Sequence, residues 1–124
     1  MSFQVFAAIA AAGSVGAVLR CLMVQSLQSW PGAPWATAAV NVAGCFGFGL
    51  CWALAQGRWS PLLTAAVLVG FFGAFTTFSS FAFDCQQLLA ERRYAALLAN
   101  FVGQNVLGFA ALLGGIAAAG WWRD

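Results

Sequence analysis

Four runs with almost no charge, each long enough to cross a bilayer, occupy most of this chain and leave it few possible folds. They cover residues 3–27, 35–55, 62–88 and 95–122, and a membrane helix needs about 20 mostly apolar residues. The segments between them are built to turn: Trp30-Pro31-Gly32-Ala33-Pro34, then Gln56-Gly57-Arg58-Trp59-Ser60-Pro61, then Ala90-Glu91-Arg92-Arg93-Tyr94. Pro61 suits the first turn of the helix it would open. The runs are rich in Ala, Leu and Gly and lack the polar/apolar alternation of a membrane β-barrel. The expected fold is an all-α integral membrane protein, one four-helix transmembrane domain over 1–124 with both termini on the same side.

Composition closes the other classes. Only 6% of the residues are charged, against about a quarter in a soluble domain. A net charge of +2 spread over five Arg gives no basic face, so nucleic acid is not a partner. Twelve Phe and six Trp exclude disorder. Four Cys are too sparse for a secreted disulfide scaffold. Trp30, Trp35, Trp52, Trp59, Trp121 and Trp122 all fall near expected helix ends, where an amphipathic ring prefers the headgroup region. Met1–Gly13 has no positively charged leading segment and reads as the start of the first span, not as a signal peptide.

Orientation follows the Lys/Arg bias of short loops. Arg20, Arg92 and Arg93 lie toward one membrane face, Arg58 and Arg123 toward the other. This near balance predicts a chain that inserts both ways up, unless the Arg92-Arg93 pair alone fixes one orientation. Small residues four apart, such as Ala12/Gly16, Gly13/Ala17, Ala43/Gly47, Ala110/Gly114 and Ala111/Gly115, allow close helix contacts in lipid. Some of these surfaces are expected to meet a second subunit.

Enzyme chemistry finds no support. There is no His for a triad or a metal site. Cys21, Cys45, Cys51 and Cys85 lack paired spacing and read as small hydrophobes. Asp84 and Glu91 have no polar pocket around them in the sequence. The informative groups are the polar residues inside the spans, which are costly there and usually functional. Arg20, late in the first span, either snorkels to the interface or lends positive potential to an anion vestibule. Asn41 either bonds a neighbouring helix or donates to a passing anion. The segment from Gly70 to Phe81 puts two Thr and two Ser on a Gly-rich background, which is poor helix-forming sequence. A break there would free carbonyls for protein or an ion to satisfy. Beyond it Thr77, Ser80 and Asp84 share one face, with Phe78 and Phe81 on the next. Hydroxyl donors beside electropositive phenyl edges suit a small anion.

Three motifs now stand in order: Gly-x-x-Gly-Ala-x-x-Arg (Gly13 to Arg20), Asn-x-x-Gly (Asn41 to Gly44) and Gly-Phe-x-Gly-x-x-Thr-Thr-Phe-Ser-Ser-Phe (Gly70 to Phe81). Together they resemble the Fluc (CrcB) fluoride channels over nearly the whole chain. The resemblance implies a dual-topology, antiparallel homodimer in a bacterial inner membrane, with two fluoride pores and a central sodium ion. It implies that Asn41, Phe78 and Phe81 line the pore and that Thr77 and Ser80 form a polar track, with Asn105 at a further polar position. Gly73 and Thr76 would give backbone carbonyls to the sodium, and Arg20 would stand at a vestibule. The chain departs from the family's pattern at Ala82, where Ser is common, and at Phe109 and Leu113, where hydroxyls are frequent. Asp84 replaces a common Glu.

The expected function is passive export of cytoplasmic fluoride. A small dual-topology multidrug exporter is a rival, but it needs a carboxylate in the first span, and this chain has none there. A structural subunit of a larger membrane complex is a second rival, and it would not need the Thr76–Phe81 run.

Overall fold

The computed structural model describes residues 1–29 and 33–122. Trp30, Pro31 and Gly32 of the first turn, and Arg123, lie outside the described residues. Those that are described form helices α1 (Phe3–Leu27), α2 (Ala33–Ala55), α3 (61–75), α4 (Phe78–Ala90) and α5 (Tyr94–Gly120), with no strand among them. Four stretches are long and apolar enough to span a membrane: Phe3–Leu27, Pro34–Ala55, Pro61–Ala90 and Tyr94–Gly120. These match the expected spans, with shifts at the ends. The last helix stops at Gly120, so Trp121 and Trp122 sit in the turn beyond it and are almost fully exposed.

The third span starts as its sequence suggests. Ser60 caps it, its hydroxyl accepting from the Leu63 N–H at 3.2 Å, with Pro61 in the first turn. The expected break is also present: the helix ends at Phe75 and a new one begins at Phe78. Thr76 and Thr77 between them have extended backbone, with ψ of 155° and 116°. Less expected is the stretch Ala65–Phe72 just before the break, which is wound as a π-helix. Such widened turns are rare and concentrate at functional sites.

Two close helix pairs hold the spans together. α1 lies against α3, where a Cβ on Gly16 would collide with the Phe71 carbonyl oxygen and one on Gly70 would stand 2.7 Å from the Ile9 carbonyl oxygen. α2 lies along α5, where a Cβ on Gly49 would meet the Leu112 carbonyl and one on Gly115 the Phe46 carbonyl. Backbone can touch backbone only because these residues lack side chains. The small-residue spacing predicts such approach at Gly16 and Gly115, and Gly49 and Gly70 join them; at Gly13 a Cβ would make only ordinary contact, 3.5 Å from the Gly70 carbonyl oxygen.

The two pairs meet in a small core of Val40, Leu68, Phe72 and Phe75. Phe71 stacks on Phe75 at 5.7 Å and stands edge-on to Phe72 at 5.0 Å. Gly44 and Gly47 on α2 leave room for this aromatic wall, since side chains there would strike Thr76, Phe75 and Phe72. The core therefore ends at the break, and polar residues begin there.

Candidate ion pathway at the helix break

A break inside a membrane span leaves backbone groups that lipid cannot satisfy. At Thr77 they are satisfied by one side chain. Asn41, two turns into α2, accepts from the Thr77 N–H through Oδ1 at 2.8 Å and donates through Nδ2 to the Thr77 carbonyl at 3.0 Å. Its amide pairs with Thr77 much as a neighbouring strand would. In a continuous helix the Thr77 N–H would reach the Gly73 carbonyl, so this pairing releases that carbonyl. The second Nδ2 proton of Asn41 goes to Gln104 Oε1 on α5 at 2.9 Å. Asn41 thus bonds a neighbouring helix, the first of its two expected roles, and both its amide protons are engaged.

Thr76 and Thr77 complete the break in different ways. The Thr76 hydroxyl donates back to the Phe72 carbonyl at 2.9 Å, closing the end of α3. The Thr77 hydroxyl caps α4, accepting from the Ser80 N–H at 3.2 Å and donating to the Ser80 hydroxyl at 3.1 Å. Two β-branched residues that weaken a helix interior here serve as its stop and its start.

A cavity of about 210 Å³ opens at this point, lined by Asn41, Cys45, Thr76, Thr77, Phe78, Phe81, Gln104 and Asn105. Five of the six residues expected along the pathway, Asn41, Thr77, Phe78, Phe81 and Asn105, therefore meet in one space. The two phenyl rings are 5.5 Å apart and tilted, but their surroundings differ. Phe81 is buried and also leans on Phe101 at 5.7 Å, whereas Phe78 is 77% exposed in the single chain. Asn105 spends one amide proton on its own helix, donating to the Phe101 carbonyl. Gly73 is exposed, with open space where a Cβ would be.

Ser80 stands on the other side of the break. It shares a cleft of about 400 Å³ with Arg20, Gln25, Gln28, Thr37 and Thr77. An adjoining hollow adds Ser79 and Asp84. Arg20 Nε and Asp84 Oδ2 are both buried without a hydrogen-bond partner among the described residues. Arg20 thus borders a polar cleft together with Thr77 and Ser80.

Comparison with known proteins decides the family. A family profile described as "CrcB-like protein, Camphor Resistance (CrcB)" matches residues 7–116. The chain belongs to the CrcB family. It is 46% identical over 113 residues to the "Fluoride-specific ion channel FluC" of Solidesulfovibrio magneticus, covering 88% of this chain and 90% of that one. The protein of the same name in Nitrosococcus oceani is 44% identical over 86% of this chain and 88% of its own. That of Methanopyrus kandleri is 41% identical over 91% and 87%.

Two residues of this CrcB-family site escape a sequence reading, Gln104 and Asn100. The Gln104 amide donates to Asn100 Oδ1 at 2.9 Å, and Asn100, fully buried, donates to Cys85 Sγ at 3.3 Å. Their four-residue spacing on one helix face was the available signal. Asn105, one residue along, points to a different face.

Proposed function

We propose that two copies of this chain, inserted in opposite orientations, form a passive fluoride channel. The cavity at the break carries this reading, because it gathers Asn41, Thr77, Phe78, Phe81 and Asn105 in one space. Relatives covering most of the chain carry the name fluoride-specific ion channel, which agrees. The physical task is to exchange the tight hydration shell of a small anion for fixed donors and phenyl edges. The Ser80 hydroxyl, whose proton is not spent on Thr77, the second amide proton of Asn105 and the Phe78 and Phe81 ring edges offer such contacts, while Thr77 holds Ser80 in place. Asn41 contributes by holding Thr77, and with it the start of α4, in place. The Arg20 cleft raises the local anion concentration at the entrance.

The antiparallel dimer has independent support in two features. The Arg residues are nearly balanced between the faces, and only Gly16 of α1 is buried in the single chain. Phe78, exposed in one copy, would be covered by the second. A sodium ion on the two-fold axis would be held by Gly73 and Thr76 carbonyls. The release of the Gly73 carbonyl from helical pairing, in an open position, fits this role. Bound there, the ion would neutralise converging carbonyl dipoles at the centre of the dimer. The assembly would sit in the bacterial inner membrane and let fluoride leave the cytoplasm down its gradient.

The test is fluoride efflux from liposomes holding the purified chain, read with a fluoride electrode. Rapid efflux, with chloride retained, is the expected result. Vesicles that hold their fluoride as well as protein-free ones do would refute the channel.

A further inference from the structure

The hydrogen bonds around Asn41 run in one direction through four side chains. The Thr77 N–H donates to Asn41, Asn41 to Gln104, Gln104 to Asn100, and Asn100 to the sulfur of Cys85, at 2.8, 2.9, 2.9 and 3.3 Å. The chain begins at the cap of α4 and returns to the same helix at Cys85, after passing through α2 and α5. We propose that Gln104 is a positioning residue for the pathway, fixing the amide plane of Asn41 and, with Asn100, locating α4 and the two phenyl rings it carries. This rests on the channel reading for its functional meaning.

The physical argument concerns direction. A side-chain amide can turn over and exchange its donor and acceptor ends at little intrinsic cost. A turned Asn41 would face the Thr77 N–H with its own N–H, and the break would lose its satisfaction. Gln104 opposes that turn because its Oε1 needs a donor. Gln104 in turn is oriented by Asn100, whose Oδ1 accepts from it. Asn100 has no solvent to compete for its bonds, being fully buried. Amides aligned head to tail also polarise one another, which strengthens the bond at Thr77. None of this requires Gln104 to touch the ion.

The experiment is a double-mutant cycle on the reconstituted full chain, using Gln104→Met and Asn100→Leu. Each variant is measured for fluoride efflux, chloride leak and the melting temperature of the dimer in detergent. Met keeps the length of Gln without its hydrogen bonds. Gln104→Met is expected to slow fluoride efflux about tenfold and to raise chloride leak relative to fluoride, as α4 loses its register. Asn100→Leu should act in the same direction but less strongly. The double variant should be no worse than Gln104→Met, because one cut already interrupts the chain. Additive losses, or a fall in melting temperature with efflux and selectivity intact, would overturn the positioning role. If Gln104→Met does not assemble, Gln104→Asn withdraws the same amide by one methylene, and the same outcomes apply. Wild-type vesicles without efflux would remove the channel reading alone. Coupling of Gln104 and Asn100 in melting temperature tests the hydrogen-bond chain independently, and its absence would overturn the chain as well.

Discussion

The two sides of the break in the third span are built on opposite principles. Toward α2 and α5, Thr77, Asn41, Gln104 and Asn100 satisfy one another within a closed set of hydrogen bonds. Toward α1, Arg20 Nε and Asp84 Oδ2 are buried with no hydrogen-bond partner among the described residues, beside an open cleft. A pathway for an ion needs both conditions. Polar groups that hold the backbone must not be available to the ion, or the wall would rearrange as it passes. Groups that receive the ion must not be committed to protein, or it could not displace them. In the proposed channel the closed side would be the scaffold and the α1 side the entrance. Substitutions on the two sides should differ in size and in kind.

The largest effect is expected at the centre of the closed side. Asn41→Leu leaves both the N–H and the carbonyl of Thr77 without partners, each costing about 1–3 kcal/mol when buried. Efflux should fall at least about a hundredfold, with the melting temperature falling too, both measurable on the purified dimer. Asn41→Asp goes further, placing a negative charge beside the route in a low dielectric, and should block fluoride outright. If Asn41→Leu kept wild-type efflux, the contrast between scaffold and entrance would not stand.

Next come the rings. Phe78→Ile and Phe81→Ile keep bulk but remove the electropositive edge, and each should slow fluoride about tenfold. Their stabilities should separate. Phe81 is buried against Phe101 within one copy, so its loss should lower the melting temperature of the dimer more than the loss of Phe78, whose only cover would come from the second copy. Equal melting losses for the two would mean that Phe78 is as well packed as Phe81.

These contrasts also mark what the sequence makes legible. The spans are legible because length, low charge and turn residues act locally. The break is too, because Gly-rich sequence with paired Thr and Ser is a poor helix on any background. Asn41 stands out as a lone amide in an apolar run. Gln104 does not, because α5 carries three amides at 100, 104 and 105 and spacing alone cannot say which face meets α2. Only the close contact at Gly49 and Gly115 sets that rotation, and it depends on two helices at once. The π-helical turn before the break is likewise absent from any periodicity in Ala65–Phe72.

A smaller effect is expected at the entrance, with a signature the closed side lacks. Arg20→Gln should reduce efflux about threefold at low ionic strength and less in high salt, because a charge bordering an open cleft is screened. Asp84→Asn removes an acceptor from the same region and should move efflux the other way. Neither should alter chloride leak as a disturbed scaffold would. A salt-independent loss in Arg20→Gln would place Arg20 among the structural residues instead.

The smallest effect is expected at Phe109, four residues beyond Asn105 on an exposed face of α5 and away from both the hydrogen-bond chain and the cleft. A phenyl ring there, 64% exposed in the single chain, supports neither the Thr77 pairing nor the anion entrance. Phe109→Ser adds a hydroxyl donor in line with Asn105 on the helix. If the face bearing Asn105 continues the route past the phenyl rings, the extra donor should leave efflux unchanged or raise it by less than about twofold. The lost apolar area should cost little, since the ring is already largely outside the single-chain core. Efflux and dimer content by size-exclusion chromatography, measured together, separate the alternatives. A marked loss of efflux with the dimer intact would mean that the ring itself borders the ion, extending the aromatic lining from α4 onto α5. Loss of the dimer would instead assign Phe109 to the surface between the two copies.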